Sequence, residues 1–80
     1  MNLMQIELLQ TRDLRVVSIM KYFAYAHLPE PLQKVSKIFC QAAWDLITEV
    51  PDSAELVAGL RKLLEAKDCA VRAALDSTSG

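Results

Sequence analysis

Residues 21–29, with the sequence KYFAYAHLP, hold most of the side chains in this chain that suit ligand chemistry. A flat aromatic ring can stack on a purine or pyrimidine, and a lysine attracts phosphate, so aromatic and cationic neighbours suit nucleotide binding. Lys21, Tyr22 and Phe23 supply these groups, and Lys37 follows on a predicted helix. The same rings could instead cover the exposed end of a hydrophobic core, which is the commoner use of aromatic side chains. Both interpretations stay open at this point.

The residues needed for catalysis are scarce. A nucleophile requires a neighbouring base that a third group orients, and His27 is the single histidine. The two glycines are Gly59, inside a predicted helix, and Gly80 at the end, so a glycine-rich phosphate loop is excluded. Carboxylate pairs such as Asp45 with Glu49 are ordinary on helix surfaces. We therefore expect a protein that is not an enzyme.

A metal site also has too few candidate ligands. Cys40 and Cys69 are the only cysteines, and they lack the Cys-x-x-Cys spacing of zinc sites. One histidine cannot complete a ligand set with them at any usual spacing. We expect neither a metal nor another cofactor.

Charge and hydropathy limit the partners. Nine Lys and Arg against ten Asp and Glu give a formal net charge of -1, which argues against a DNA or RNA duplex because duplex binding needs a basic face. A small anionic ligand needs only a few cations in one pocket. The sequence has neither an apolar stretch of membrane-spanning length nor a signal-peptide pattern at its start, so we expect no membrane partner and a cytoplasmic location.

The chain from residue 32 onward predicts two long helices joined by a turn at 50–53. Apolar residues recur at steps of three and four, the spacing of one helix face. In the first arm they are Leu32, Val35, Phe39, Ala42 and Leu46, flanked by Ile38, Ala43 and Ile47. In the second arm they are Val57, Leu60, Leu64, Val71 and Leu75. The pattern predicts an all-α fold built on a long antiparallel helical hairpin.

The turn sets the start of the second arm and the register of the pair. Asp52 with Glu55 three residues later fits a capping box, so Asp52 is the expected N-cap. Antiparallel pairing about the turn places Cys40 nearer Leu63 than Cys69, so we expect no disulfide within the chain.

The ends of the chain are less regular. Residues 1–20 predict an N-terminal segment with a short helix and a linker, in which 14–20 fits either a strand or a second helix, and we favour a helix. Residues 21–75 then form the hairpin domain. Residues 76–80 are a polar tail that we expect to be flexible.

Length and composition together predict self-association. The chain has 80 residues and a hydrophobic fraction of 52%. A domain this small has little interior and needs a disulfide, a metal, oligomerisation or very regular helix packing for stability. Since the first two are not expected, part of the apolar surface should face another copy, and Trp44 suits such a contact.

Three stretches resemble a known family: KYFAYAHLP at 21–29, LQKVSKIF at 32–39 and LRKLLEAKDCAVR at 60–72. They are similar to the hairpin domain shared by the anti-CBASS cyclic-oligonucleotide sponge and the Thoeris anti-defence sponge of bacteriophages. The resemblance covers residues 21–75, and its most specific part is the run RKLLEAKD.

The resemblance implies a helical homohexamer without chemistry that sequesters cyclic dinucleotides, such as cyclic GMP-AMP, in pockets between protomers, within the host bacterial cytoplasm. It further implies that cyclic trinucleotides bind at a second set of pockets around the three-fold axes. Tyr22, Phe23 and Lys37 are the expected cyclic-dinucleotide contacts. Arg61 and Arg72 are the candidates for the second pocket.

Residues 1–20 lie outside the resemblance. A longer N-terminal part is where the Thoeris-type sponges differ from the shorter anti-CBASS ones, so the choice between cyclic dinucleotides and glycocyclic ADP-ribose stays open. The short chain favours the anti-CBASS type. The alternative of a different kind is a helical hairpin with a purely structural or partner-binding role, in which the aromatic side chains are interface packing.

Overall fold

The computed structural model describes residues 2–79, with side chains to residue 76, and all of its regular elements are helical. They are α1 (Leu3–Gln10), α2 (Leu14–Met20), a 3-10 helix (Lys21–Phe23), α3 (Glu30–Glu49) and α4 (Ala54–Ser79). The expected all-α class is confirmed for these residues. Met1 and Gly80, the last residue of the predicted flexible tail, lie outside the described residues. α4 extends beyond residue 75, where we expected the second arm to end.

Capping side chains start the two short N-terminal helices. The Asn2 side chain accepts a hydrogen bond from the Gln5 backbone N–H at 2.9 Å, and the Gln5 side chain accepts one from the Asn2 N–H at 3.2 Å. The Asp13 carboxylate accepts from the Arg15 N–H at 2.7 Å and starts α2 in the same way. Residues 14–20 are therefore helical, as we favoured, and do not form a linker or a strand.

The buried face of α2 explains why this segment is helical although it contains β-branched residues. Val16, Ile19 and Met20 are buried, and steps of three and four place them on one side of the helix. The packing of this face outweighs the modest preference of valine and isoleucine for extended structure. The two arms that follow, α3 and α4, pack against each other more extensively than any other pair of elements.

The N-cap of α4 is Ser53, not Asp52. The Ser53 hydroxyl accepts a hydrogen bond from the Leu56 N–H at 3.0 Å, which satisfies one of the free donors of the first turn. The Asp52 carboxylate turns instead towards the N-terminal segment, where a guanidinium and a backbone N–H offer it stronger partners. The predicted capping box of Asp52 with Glu55 is therefore wrong, because the cap lies one residue later and its partner is the N–H of Leu56.

One hydrophobic core holds the elements together. Its buried apolar members are Val16, Ile19, Met20, Phe23, Ala43, Ile47, Leu56, Val57 and Leu60. They come from α2, the 3-10 helix, α3 and the first two turns of α4. Between residues 61 and 76 no side chain is buried, so the second half of α4 extends past the core of its own chain.

The buried face of α3 differs from the predicted one. Leu32, Ser36, Ala43 and Ile47 are buried, whereas Leu46 is 38% exposed and the flanking Ile38 is 67% exposed. The periodicity correctly indicated that α3 has an apolar side. The 3-10 helix also packs on this arm, so the buried residues of α3 are not the ones that pairing with α4 alone would select.

Arg12 and Asp52 join the N-terminal segment to the connection between α3 and α4. The Arg12 Nε lies 2.6 Å from an Asp52 carboxylate oxygen, and the Arg12 Nη2 donates to the carbonyl of Val50 at 2.7 Å. The remaining Nη1 donates to the carbonyl of Ile47 near the end of α3. The Asp13 N–H donates to the second Asp52 oxygen at 2.5 Å. A single guanidinium thus satisfies two carbonyls at a helix end and one carboxylate.

We predict that Arg12→Met destabilises the fold by about 2 kcal/mol, because it removes charge-assisted hydrogen bonds from a partly buried site and leaves carbonyls unsatisfied. Arg15→Met is the matched control, since Arg15 is 57% exposed and pairs only with its neighbour Asp13. This control should change stability by less than about 0.5 kcal/mol. Urea unfolding followed by circular dichroism measures both. Equal losses in the two variants would refute the special role of Arg12.

We predict that stability falls in acid through Asp52 and Asp13. The hydrogen bond from the Asp13 N–H and then that from Arg12 lower the pKa of Asp52 below its ordinary value of 3.8. Hydrogen bonds from Arg15 lower the pKa of Asp13 below the same value. Depressed folded-state pKa values mean that the unfolded chain binds protons first, so this stability is complete above roughly pH 5 and is lost as the pH falls through and below 3.8.

The measurement is the urea midpoint as a function of pH. Asp52→Asn should be less stable than the parent at pH 7 and should show a shallower decline between pH 7 and the acid range. A decline as steep as that of the parent would contradict the assignment to Asp52.

Candidate functional site

Tyr22 is the aromatic residue of the 21–29 segment that faces outward. Its side chain is 56% exposed, and the Lys21 ammonium lies 5.2 Å from the centre of its ring, within the range of a cation–π contact. The Lys67 ammonium on α4 donates a hydrogen bond to the Tyr22 carbonyl at 2.5 Å. The fold therefore places two lysine ammonium groups beside Tyr22. Lys21 lies over its ring, and Lys67, which follows 45 positions later in the chain, binds its carbonyl.

Phe23 has no exposed surface and belongs to the hydrophobic core. A fully enclosed ring has no face on which a base could stack, so the burial of Phe23 in this protomer gives no support to the expected ligand contact. The physical reason is the 3-10 helix, which turns by about 120° per residue. Tyr22 and Phe23 consequently point in different directions, and Phe23 takes the inward one.

Lys37 is exposed on α3, one residue after the buried Ser36. Within the part of the chain that the structure describes, no hydrogen bond or ion pair engages the Lys37 side chain, and none joins it to Tyr22. Its ammonium is therefore available to a ligand or to a second copy. The hydroxyl of the preceding Ser36 is buried and has no hydrogen-bond partner among the described residues.

A small groove of about 200 Å³ lies between α4 and the turn before α3. It is lined by Leu28, Lys67, Asp68, Val71 and Arg72. The Arg72 guanidinium is exposed and donates to the Cys69 sulfur at 3.4 Å. Two cations against one carboxylate make this groove a site that an anion could enter, and through Lys67 it adjoins the surface around Tyr22.

Arg61 lies elsewhere on α4. It is exposed, and eleven residues separate it from Arg72, which corresponds to about 16 Å along the helix axis. The two arginines share one side of α4 but are too far apart to hold the same phosphate group. A pocket that uses both would need them from different chains.

A larger cleft, which the sequence did not indicate, opens on the side of the N-terminal helices. Its volume is about 650 Å³, a size typical of ligand pockets. Its lining includes Gln5, Leu9, Val17, Ser18, Met20, Lys21, Ala24, Tyr25, Ala26, Cys40 and Trp44. These residues come from α1, α2, the turn after the 3-10 helix and α3, so no local pattern could have shown that they meet.

The thiol of Cys40 is part of the lining of this cleft. Burial raises the pKa of the Cys40 thiol, which keeps it protonated at neutral pH and makes it a poor nucleophile. His27, the only histidine, is exposed in the turn before α3 and is not among the cleft residues. Among residues 2–76, no group of three or more His, Cys, Asp or Glu side chains could hold a metal ion.

The helices of the described chain include none that is long and apolar enough to cross a membrane. Comparison of the chain with protein-family models, with curated proteins and with solved structures gives no match.

We predict that truncation of the two neighbouring aromatic residues lowers stability by very different amounts. Phe23→Ala should lower the free energy of unfolding by about 3 to 5 kcal/mol, since it opens a cavity in the core. Tyr22→Ala should cost less than about 1 kcal/mol, because its ring is exposed and loses only a surface cation–π contact. Urea unfolding monitored through helix content measures both variants. A loss at Tyr22 as large as that at Phe23 would contradict the division of roles.

Proposed function

We propose that this protein is a non-enzymatic sponge that binds cyclic di- and trinucleotide immune signals, such as cyclic GMP-AMP, between subunits and thereby inhibits CBASS anti-phage defence. The proposal rests on the resemblance of the stretches at 21–29, 32–39 and 60–72 to bacteriophage sponges. The structural observation that carries it is the exposed Tyr22 ring with the Lys21 ammonium 5.2 Å from its centre. It is the aromatic and cationic pair that a nucleotide requires.

The ligand contacts in the proposal come from the 3-10 helix and from α3, the first arm of a long antiparallel hairpin. The Tyr22 ring stacks on a base, and the exposed Lys37 ammonium binds phosphate. Lys67 holds the carbonyl of Tyr22 and so fixes the position of the ring relative to α4. Phe23 contributes by anchoring the 3-10 helix in the core, not by touching the ligand.

The second set of pockets, for cyclic trinucleotides, uses the side of α4 that carries Arg61 and Arg72. Arg72 lies in the groove beside Lys67, and Arg61 lies about 16 Å away along the same helix. Neither arginine forms an ion pair with another described residue. In the proposed assembly, arginines from different subunits converge on one ligand.

The pockets between subunits require a homo-oligomer, which we take to be a hexamer. Support for association comes from the apolar surface that the protomer leaves uncovered. Ile38 is 67% exposed, Leu75 is 46% exposed, and none of the side chains from 61 to 76 is buried. Large exposed apolar side chains at several places on so small a chain favour association.

Sequestration needs no bond to be made or broken. A sponge lowers the free concentration of the signal, so the effector of the immune system receives too little of it. This mechanism agrees with exposed Tyr and Lys side chains and with a protonated Cys40. We place its action in the cytoplasm of the infected bacterium.

The N-terminal helices favour a second candidate function. α1 and α2 precede the region that resembles the sponges, and the longer Thoeris-type sponges also carry an N-terminal part. On this alternative the ligand is glycocyclic ADP-ribose. A helical hairpin that only binds protein partners is the remaining alternative, and it predicts that no nucleotide stabilises the protein.

We predict that Tyr22→Ala and Lys37→Ala each abolish tight binding of cyclic dinucleotides while the oligomer persists. Lys34→Ala is the matched control, because Lys34 is an exposed lysine on the same helix. A ligand at a hundred times its dissociation constant should stabilise the parent by roughly 2.7 kcal/mol. A thermal-shift screen with cyclic dinucleotides, cyclic trinucleotides and cyclic ADP-ribose isomers, paired with native mass spectrometry, measures both properties.

The outcomes of this screen separate the candidates. Stabilisation by glycocyclic ADP-ribose alone would select the Thoeris-type function. Undiminished dinucleotide binding in both variants would refute the assigned pocket, and stabilisation by none of the ligands would refute the sponge.

A further inference from the structure

Helix α1 is apolar on both of its sides. Leu8 and Leu9 pack against the core of their own chain, whereas Leu3 is 70% exposed, Met4 78% and Ile6 40%. An amphipathic surface helix would show a polar outer side, and a helix that is apolar all round is normally covered on both. The outer side of α1 therefore needs a cover that its own chain does not supply.

The outer side of α1 carries one charge. Glu7 is the only ionisable residue between Leu3 and Gln10. It lies one helical turn after Leu3, so the carboxylate sits among the exposed apolar side chains and not beside Leu8 and Leu9. A surface that buries this side of α1 must offer a cation to Glu7, because a carboxylate without a partner is costly to remove from water.

The cleft beside α1 has the complementary character. Most of its lining is apolar, with Leu9, Val17 and Trp44 among the side chains. Lys21 is the only charged residue in the lining described above, and it is exposed. The outer side of α1, which is apolar except for the Glu7 carboxylate, thus lies next to a mostly apolar cleft that contains the Lys21 ammonium.

We propose that the outer side of α1 docks in this cleft of a second copy of the chain, with the Glu7 carboxylate of one copy against the Lys21 ammonium of the other. A chain cannot fill its own cleft in this way, because Gln5 and Leu9 of its own α1 form one wall of it. Since donor helix and receiving cleft are neighbours on the surface, a two-fold axis lets each chain provide α1 and receive the α1 of its partner.

This inference rests on the self-association in the proposed function and assigns a role to a region that the resemblance does not cover. The N-terminal segment becomes the element that locks pairs of subunits together. The Lys21 ammonium, which lies over the Tyr22 ring, is then held by a carboxylate of the second copy, so the α1 contact adjoins the proposed ligand surface.

The first test is charge reversal, read as mass by native mass spectrometry and light scattering over a dilution series. Glu7→Lys and Lys21→Glu should each weaken association by about 10- to 100-fold, because like charges then face each other. The double variant should recover most of the loss. Lys34→Glu is the control for an added charge on the surface. Two single variants that associate like the parent would overturn the proposal.

The second test is disulfide capture between two different chains, both carrying Cys40→Ala and Cys69→Ser. One chain also carries Glu7→Cys and the other Lys21→Cys, with a mass tag on one of them. Under mild oxidation we expect a tagged heterodimer at high yield, and we expect none when Arg61→Cys replaces Lys21→Cys. Helix content by circular dichroism confirms that each chain is folded. Folded chains that associate without this crosslink would overturn the proposal.

The third test asks whether something else fills the cleft. Trp44 is the single tryptophan and lies in the lining, so it reports on the apolar dye anilinonaphthalene sulfonate by energy transfer. The parent oligomer should not bind the dye there, and Glu7→Lys should. A parent oligomer that shows as much transfer from Trp44 as Glu7→Lys has an equally open cleft, which overturns the docking.

The inference and the proposed function can fail separately. A parent chain that stays monomeric at all concentrations refutes both. An oligomer that lacks the 7–21 crosslink and still gains thermal stability from a cyclic dinucleotide refutes the α1 docking alone.

Discussion

Burial of the Phe23 side chain is the contact on which the rest of this structure depends. The ring is fully enclosed where α2, α3 and the start of α4 meet, and it fixes the 3-10 helix at the end of α2. Because successive side chains of a 3-10 helix diverge, an inward Phe23 obliges Tyr22 to face outward. The exposed ring, the Lys21 ammonium above it and the bond from Lys67 all follow from this single buried residue.

The core that Phe23 organises is too small to cover the chain. It ends within the first turns of α4, so the remaining length of that helix and the outer side of α1 keep apolar side chains in contact with solvent. A chain of 80 residues has a high surface for its volume, and regular helix packing cannot hide both sides of a thin layer. The exposed apolar surface and the proposed binding surfaces therefore have the same cause, which is that so short a chain can bury only a small core.

Charge is distributed so that a nearly neutral chain has local positive surfaces. The carboxylates of Asp13 and Asp52 are engaged by arginines near the connection between α3 and α4. Lys21 lies over the Tyr22 ring, and Lys67 and Arg72 line a groove with one carboxylate, that of Asp68. A small anion responds to such local fields and not to the formal net charge of -1. The phosphate-bearing ligand that we propose would bind through such a local group of cations.

The amino-acid order by itself determined the helical class, the two long helices and the break near residue 50, because these depend on spacing and capping over a few neighbouring residues. It also located the segment around Tyr22 as a concentration of aromatic and cationic groups. It could not separate Tyr22 from Phe23, since the direction of each ring depends on a 3-10 helix that no periodicity announced. Only the tertiary structure decided which residues of α3 are buried. It also decided that Asp52 binds Arg12 while Ser53 caps α4, and that α1, α2 and α3 line a common cleft. Each of these outcomes depends on contacts between residues far apart in the chain, and a local pattern carries no information about which distant partner a side chain meets.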